Sequence, residues 1–536
     1  MTKDEIAIKA HKDWQGKIEV VARAKVTNRE ELTVAYTPGV AAPCLEIEKD
    51  EMLAYDYTRK GHLVAVITNG TAVLGLGDIG PAAGMPVMEG KCALFKEFAG
   101  IDAFPICVDS KDPEELVNII YKISKSFGGI NLEDIAAPAC FEVETRLKEM
   151  CDIPVFHDDQ HGTAIVVSAA MLNAARLKGV KPENMKIVLN GAGAAGISIA
   201  KLLISIGFTN ITMCDIFGTL YEGGPALSDA QRQMAKITNK EKLAGTLADA
   251  MKGADAFIGV SKGNLVTKDM VRSMNDKPII FAMANPVPEI GYDDAKEAGA
   301  YIVGTGRSDF PNQINNVLVF PGIFKGALSV RSKAITEEMK IAAVHAIANL
   351  AKQPVPDVVN EAYHVNNFSF GPEYFIPKPV DPRLITEVSC AVAKAAMESG
   401  VARKNIEDWD AYCVQLRELM GYESKLTRQL YDTARRNPQR VVFAEGIHPN
   451  MLKAAVEAKA EGICHPIILG NDEAIEKLAK ELDLSLEGIE IVNLRHPDEA
   501  PRRERYARIL SEKRAREGVT YEEANDKMFE RNYFGM

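Results

Sequence analysis

The chain predicts an α/β protein built around a doubly wound parallel sheet, and three observations carry that prediction. Short apolar runs alternate with helical stretches through the middle of the sequence, the order that parallel strands with crossover helices require. One run, Lys186-Ile-Val-Leu-Asn190, passes directly into the glycine-rich turn Gly191-Ala192-Gly193-Ala194-Ala195-Gly196 and then into an apolar helical stretch. Ahead of that turn stand two acidic pairs, Glu133-Asp134 and Asp158-Asp159. Hard oxygen donors of this kind suit a divalent cation.

With 536 residues, 47% of them apolar and 26% charged, the chain has the composition of an ordinary globular protein and the length of about three domains. The formal net charge of -11 argues against nucleic acid or an anionic membrane as partner. The start, Met1-Thr-Lys-Asp-Glu-Ile6, has no long apolar core, and no apolar run is long enough to span a bilayer, so a cytoplasmic protein acting on a small molecule is expected. Nine cysteines occur without a Cys-x-x-Cys pair, which points to reduced thiols rather than a zinc site or a disulfide framework.

Taken in order, the elements begin with the apolar run Leu63–Ile67, broken by Asn69-Gly70 and by Gly75-Leu-Gly77-Asp-Ile-Gly80, which reads as a strand followed by functional loops. Beyond Gly162 a helix is predicted over Thr163–Lys178, then the strand ending at Asn190, and a helix over Ile197–Ile206. Further strands are predicted at Ile211–Cys214, Ala256–Gly259, Pro278–Phe281 and Tyr301–Val303. Apolar residues at helical spacing between Lys333 and Ala351 predict a closing helix. A proline-rich loop from Gly371 to Pro382 precedes a helix ending near Gly400. A new α/β pattern follows, with strands at Arg440–Ala444 and His465–Leu469, a helix over Asn450–Ala460, and a charged helical tail over 501–531.

The glycine turn sits between strand and helix, the context in which backbone amides face a dinucleotide pyrophosphate. Gly191 suits the tight turn, Gly193 allows close approach of the ligand, and Gly196 allows helix and strand to pack. Ala192, Ala194 and Ala195 complete the cradle, and Asp215, ending the next strand, can accept from a ribose hydroxyl. No basic residue adjoins Asp215, which fits NAD, while Arg232 or Lys236 could meet the 2′-phosphate of NADP. The residues leave both cofactors open.

Each acidic pair taken alone is equally well explained by a solvated turn or a helix N-cap. Together, Glu133, Asp134 and Asp159 offer an oxygen site for Mg²⁺ or Mn²⁺. His157 and His161 bring zinc to mind, but the acids favour a harder ion and no cysteine joins them. Tyr36 and Lys91 lie in glycine-containing, partly apolar surroundings, and a desolvated lysine becomes usable as a base. By residue type alone an ordinary core or interface tyrosine and a solvated lysine are the better readings.

Six separated motifs resemble the bacterial malic enzymes: Tyr36-Thr-Pro-Gly-Val-Ala41, Gly75-Leu-Gly-Asp-Ile-Gly80, Asn131-Leu-Glu-Asp134, His157-Asp-Asp-Gln-His-Gly-Thr-Ala164, Asn285-Pro286 and Asn315-Asn-Val-Leu-Val-Phe-Pro-Gly322. The likeness covers about the first 400 residues. The later stretches Arg440-Val-Val-Phe-Ala-Glu-Gly446 and His465-Pro-Ile-Ile-Leu-Gly470 resemble the beginning of a phosphate acetyltransferase, the pairing found in hybrid malic enzymes. The resemblance implies an N-terminal α/β substrate and metal domain over 1–162 and a Rossmann-like doubly wound NAD(P)-binding domain over 163–405. A linker over 406–425 and a partial α/β phosphate acetyltransferase-like domain over 426–536 follow.

The resemblance also implies roles. Tyr36 would protonate the enol, Lys91 would be the base, and Glu133, Asp134 and Asp159 would hold the metal. Asp158 would support them, and Asn285 and Asn316 would contact substrate and nicotinamide. L-malate is then the substrate, NADP is favoured over NAD, and pyruvate and CO₂ are the products. Asn69-Gly-Thr-Ala-Val-Leu74 carries no arginine, where larger members of the family have one for the second malate carboxylate. The tail reaches only one small α/β unit into the transferase domain, so a regulatory or assembly role, with acetyl-CoA as effector, is expected ahead of acetyl transfer. A homo-oligomer, dimer or larger, is also implied. The competing readings are a plain NAD(P)-dependent 2-hydroxy acid dehydrogenase and an acyl-CoA-responsive sensor with little catalysis.

Overall fold

The computed structural model describes residues 2–73, 75–224, 228–365, 367–419, 430, 433–482 and 484–536. Leu74, residues 420–425 of the expected linker and the first residues of the domain expected from 426 lie outside the described residues. Two compact units result: one comprises 1–353 and 370–420, the other 354–369 and 421–536.

The larger unit holds two parallel sheets. The first has the order β2-β1-β3-β4, with β1 at Leu63–Thr68, β2 at Asp102–Cys107, β3 at Gly129–Leu132 and β4 at Val155–His157. Leu132 pairs with His157 across β3 and β4, so Glu133-Asp134 and Asp158-Asp159 leave the carboxyl ends of neighbouring strands. The helix Pro81–Ala99 connects β1 to β2 and carries Lys91 on its buried side.

The second sheet runs β10-β9-β8-β5-β6-β7. Its strands are β5 at Ile187–Asn190, β6 at Ile211–Asp215, β7 at Gly218–Thr219, β8 at Ala256–Gly259, β9 at Ile279–Ala282 and β10 at Ile302–Thr305. All pairs are parallel except β6 with β7. The predicted strands are therefore present within a residue or two, while the two-residue β7 is too short to leave a periodic signal. β5 stands between β6 and β8, the switch point at whose carboxyl edge open α/β sheets bind ligands.

One helix joins the sheets. Asp158–Lys178 starts five residues before the predicted position, because Asp158 and Asp159 occupy a first turn where exposed amides favour carboxylates, and Gly162 does not break it. It is buried nearly all round by small and branched side chains, the pattern of a core helix rather than a surface one. Asn173 fixes it by donating to the Ala348 and Phe375 carbonyls at 2.8 and 2.9 Å. An aromatic knot packs beside the first sheet: Phe95 meets Phe320 edge-on at 4.7 Å and Phe324 at 5.3 Å, and Phe324 meets Phe156 at 5.9 Å. Such pairs contribute about 0.5–1.5 kcal/mol each beyond area burial.

The predicted helix over 333–351 runs over Glu337–Leu350, its start set by a capping box between Thr336 and Met339. The helix predicted to end near Gly400 is Arg383–Glu398, and Trp409–Leu419 forms a further helix. In the smaller unit, β11 at Gln439–Phe443, β12 at Cys464–Leu469 and β13 at Glu490–Val492 form a parallel sheet in that order. The tail expected as one helical run is three helices, Ala500–Lys513, Tyr521–Lys527 and Arg531–Gly535; a 3-10 turn at Ala515–Glu517, closed by Gly518 in the left-handed region (φ 82°), separates the first two. No helix among the described residues is long and apolar enough to cross a membrane.

Candidate active site

A cavity of about 1020 Å³ opens at the carboxyl ends of both sheets of the larger unit. Lys91, Glu133, Asp134 and Asp159 line it from the first sheet, and Gly193, Ala194, Ala195 and Gly196 from the second. Asn285 follows β9, and Asn316 and Phe320 come from the segment entering the helix Phe320–Ser329. Three acids, the buried Lys91 and the turn residues 193–196 therefore share one space, although they lie far apart in sequence.

Lys91 is the hub. Its Nζ donates to Glu133 Oε1 at 3.0 Å and to Asp158 Oδ2, and it stands 4.1 Å from the centre of the Phe320 ring. Both acids are buried, Asp158 completely. Asn131 donates to the second Glu133 oxygen at 2.8 Å. The backbone turns sharply at Asp134 (φ 53°), a left-handed conformation that Asp tolerates better than most residues. The Asp134 N–H then donates to Asp159 Oδ2 at 2.8 Å.

The electrostatics reverse one expectation. Burial does pull the Lys91 ammonium down, but the charges of Asp158 and Glu133 outweigh it and hold the amine above its ordinary value. Burial pushes Glu133, Asp158 and Asp159 up despite the nearby ammonium, reinforced at Glu133 and Asp158 by the neighbouring acids. Four carboxylates against one ammonium is a surplus of negative charge that a cation would relieve.

The donor chemistry fits a hard divalent ion: all three expected ligands are oxygen donors lining one cavity, and Asp158 Oδ1 is buried with no hydrogen-bond partner among the described residues. As the side chains stand, no three His, Cys, Asp or Glu among the described residues converge into a ready-made metal group; both Glu133 oxygens accept hydrogen bonds, from Lys91 and Asn131. His161 is engaged otherwise: its Nε2 lies 2.8 Å from Glu144 Oε1. His157 Nδ1 is 3.7 Å from Asp159, too far for a hydrogen bond, and neither of its ring nitrogens has a hydrogen-bond partner among the described residues. Burial lowers His161 to about 4 against the attraction of Glu144. His161, and Lys148 at 2.8 Å from Glu144 Oε1, hold Glu144 well below the usual carboxylate range against its burial.

The glycine turn has the predicted geometry. Gly191 adopts φ 112°, and a Cβ on Gly196 would lie 1.8 Å from the Gly191 carbonyl oxygen, so helix and strand approach as only glycine permits. A Cβ on Gly193 would meet nothing within 4 Å, leaving its outer side open for a ligand. Asp215 lies outside the main cavity and borders a separate one of about 300 Å³ with Phe217 and Thr246. Gln231, which the sequence reading overlooked, bridges the Asp215 carboxylate and the Ala192 carbonyl. Gly191 and Ala192 shape the turn without lining the main cavity.

Two further findings bear on the expected residues. Tyr36 is not brought to the cavity: it ends the short helix Arg29–Ala35 and is 67% exposed. Glu289, also overlooked, is fully buried and accepts the N–H groups of Ser261 at 3.0 Å and Ala284 at 3.1 Å. It thereby ties together the loops after β8 and β9 that border the cofactor side. An acid after two prolines, in Asn285-Pro-Val-Pro-Glu289, was the available signal.

Residues 15–148 match the family model described as malic enzyme, N-terminal domain, and residues 160–362 match malic enzyme, NAD binding domain. Residues 425–536 match phosphate acetyl/butaryl transferase. The NADP-dependent malic enzyme of Haemophilus influenzae is 48% identical over 94% of this chain and 67% of its own length, so the chain spans about two thirds of that relative. The bifunctional malic/malolactic enzyme of Bacillus subtilis is 54% identical over 76% of this chain and 96% of its own. The solved malic enzyme of Pyrococcus horikoshii superposes with a TM-score of 0.72 at 43% identity, covering 78% of this chain and 96% of its own. With the acid cluster, the buried lysine and the dinucleotide turn in one cavity, these likenesses establish that the chain belongs to the malic enzyme family.

Proposed function

We propose that the protein oxidises and decarboxylates L-malate to pyruvate and CO₂ with NADP as hydride acceptor, NAD being the alternative. The observation that carries this reading is the shared cavity, in which Lys91 and the acids face the turn Gly193–Gly196 and Asn285. The NADP dependence in the name of the Haemophilus influenzae relative supports the cofactor choice over the reading from Asp215 alone. Absence of a membrane-crossing helix among the described residues is compatible with a cytoplasmic enzyme.

Glu133, Asp134 and Asp159 would hold a Mg²⁺ or Mn²⁺ ion, which would supply Lewis-acid polarisation of the ketone formed at C2, and the turn Gly193–Gly196 would hold NADP, which would supply the hydride acceptor. The chain's own residues manage the protons. Lys91 in its unprotonated form accepts the proton of the C2 hydroxyl, and Asp158, to which its Nζ is hydrogen-bonded, positions it. Departure of CO₂ leaves its bonding electron pair on the substrate as an enolate, and Tyr36 delivers a proton to C3. Asn285 and Asn316 orient the substrate and the nicotinamide amide.

Tyr36 can play that part if it is supplied by a second copy. Exposed Leu32, Val34 and Val40 surround it in sequence, an apolar surface suited to a homodimer contact. The match of residues 425–536 to an acetyltransferase family supports acetyl-CoA as an effector that lowers malate turnover. A plain hydroxy-acid dehydrogenase is the weaker reading, because hydride transfer alone needs no acidic metal site.

Protein mixed with Mn²⁺, malate and either nucleotide is expected to give reduced nicotinamide together with pyruvate. Oxaloacetate as the sole product would remove decarboxylation from the proposal, and turnover untouched by EDTA would remove the metal. Malate turnover indifferent to acetyl-CoA would remove the effector.

A further inference from the structure

Beside the reaction cavity lies a second one, of about 230 Å³, that the chemistry above does not use. At roughly 30 Å³ per water it has room for several waters or one small acid. Four helices of the larger unit meet there. Ala139–Met150 contributes Lys148, the first turn of Asp158–Lys178 contributes Gln160, the dinucleotide helix Ala194–Ser205 contributes Lys201, and Glu337–Leu350 contributes Lys340.

The charges around this cavity do not cancel. Lys148 is paired with Glu144 and Lys340 with Glu337, while Lys201 makes no ion pair among the described residues and stands exposed at the cavity. One ammonium is thus left over. Gln160 is 2% exposed, and its Nε2 has no hydrogen-bond partner among the described residues. A buried amide donor without an acceptor is uncommon and calls for a ligand or ordered water. Lysines from three elements facing such a donor in a small cleft make a site for a compact anion.

We propose that this cavity binds a small oxyanion, through a phosphate or carboxylate group, and thereby ties the dinucleotide helix to the helix that carries Asp158 and Asp159. The route to the reaction cavity is short. Glu144 accepts from the His157 backbone N–H at 3.2 Å, two residues from Asp159, and an anion that draws Lys148 away alters the grip of Glu144 on that segment. Lys201 stands on the helix whose first turn lines the reaction cavity.

Crystals of the full chain soaked in selenate test the location by anomalous scattering, and calorimetry with inorganic phosphate and with acetate tests the chemistry. Selenate is expected in this cavity, with phosphate or acetate binding weakened by about tenfold or more in Lys201→Met and further in Lys201→Glu. Lys201 is exposed, so both variants are expected to fold. Phosphate binding without acetate binding identifies the ligand group as phosphate, and the reverse identifies a carboxylate. Selenate found only at the dinucleotide turn, or affinities unchanged in both variants, would overturn the site. Saturating anion is further expected to shift the malate KM by about twofold or more in wild type and not in Lys201→Met; a KM unmoved in wild type would overturn the link between the helices.

Discussion

Lys91 Nζ lies 3.0 Å from Glu133 Oε1, with both side chains 7% exposed, so an ammonium already occupies one of the oxygens that a divalent ion would use. The two cations compete for the same acid, and removing one strengthens the other's hold. Lys91→Met is therefore expected to lower malate turnover by well over about tenfold, to keep NADP binding, and to bind Mn²⁺ several-fold more tightly. Manganese titrations followed by EPR, beside steady-state rates, measure both effects. Weaker manganese binding in the variant would mean that Lys91 supports the metal site instead of competing with it.

The exposure of Tyr36 turns its role into a question about subunits. If the protein is a homodimer, as proposed, coexpression of Tyr36→Phe and Lys91→Ala chains gives heterodimers in which, where Tyr36 serves the partner, one site of the pair is intact. Two inactive variants expressed together should then recover about one quarter of wild-type turnover, from half of the dimers with one working site each. If Tyr36 acts within its own chain, every site in the mixture lacks one group and no activity returns. Separately tagged chains and a two-step purification isolate the heterodimer for the measurement.

What could be read from sequence follows the range of the forces involved. The strands of both sheets and the turn Gly191–Gly196 were legible because apolar runs and glycine needs are local, and the acid pairs were legible as chemistry. The direction of the Lys91 shift was not, since it depends on Asp158, 67 residues away, outweighing a burial that sequence suggests correctly. Glu289 stayed hidden because its two N–H partners, Ser261 and Ala284, are defined only once the β8 and β9 loops meet. Tyr36 carries a family motif, but a motif does not reveal whose active site its side chain enters.

The approach of Gly196 to Gly191 makes a sharp test of the dinucleotide turn. An added Cβ would stand 1.8 Å from a backbone oxygen and 3.0 Å from Leu189 Cδ2, and neither the backbone nor the buried strand can yield cheaply. Gly196→Ala is expected to cost about 1–3 kcal/mol of stability and to weaken NADP binding by more than about tenfold as the first helical turn shifts away from the pyrophosphate. Gly193→Ala, where a Cβ meets nothing within 4 Å, should leave stability nearly unchanged while still weakening the nucleotide. Equal stability losses in the two variants would refute this division of roles.

Lys325 offers a pH test remote from the acids. It lies on the helix Phe320–Ser329, is 7% exposed, and burial, aided by the charge of Arg59, lowers it from the ordinary 10.5 to about 8. Below about pH 8 folded and unfolded chains both carry the proton, and the folded state bears the whole cost of burying the ammonium. Between about 8 and 10.5 the unfolded chain binds more protons than the folded one, so stability attributable to this residue rises with pH until the cost has vanished. Lys325→Met keeps the volume and removes the charge, and should stabilise the protein at pH 7 by on the order of 3 kcal/mol. Urea unfolding at pH 7, 8.5 and 10 follows the difference between the two proteins: it should shrink steadily as the pH rises, and a difference that stays constant across that range would show that packing, not the buried charge, sets the effect.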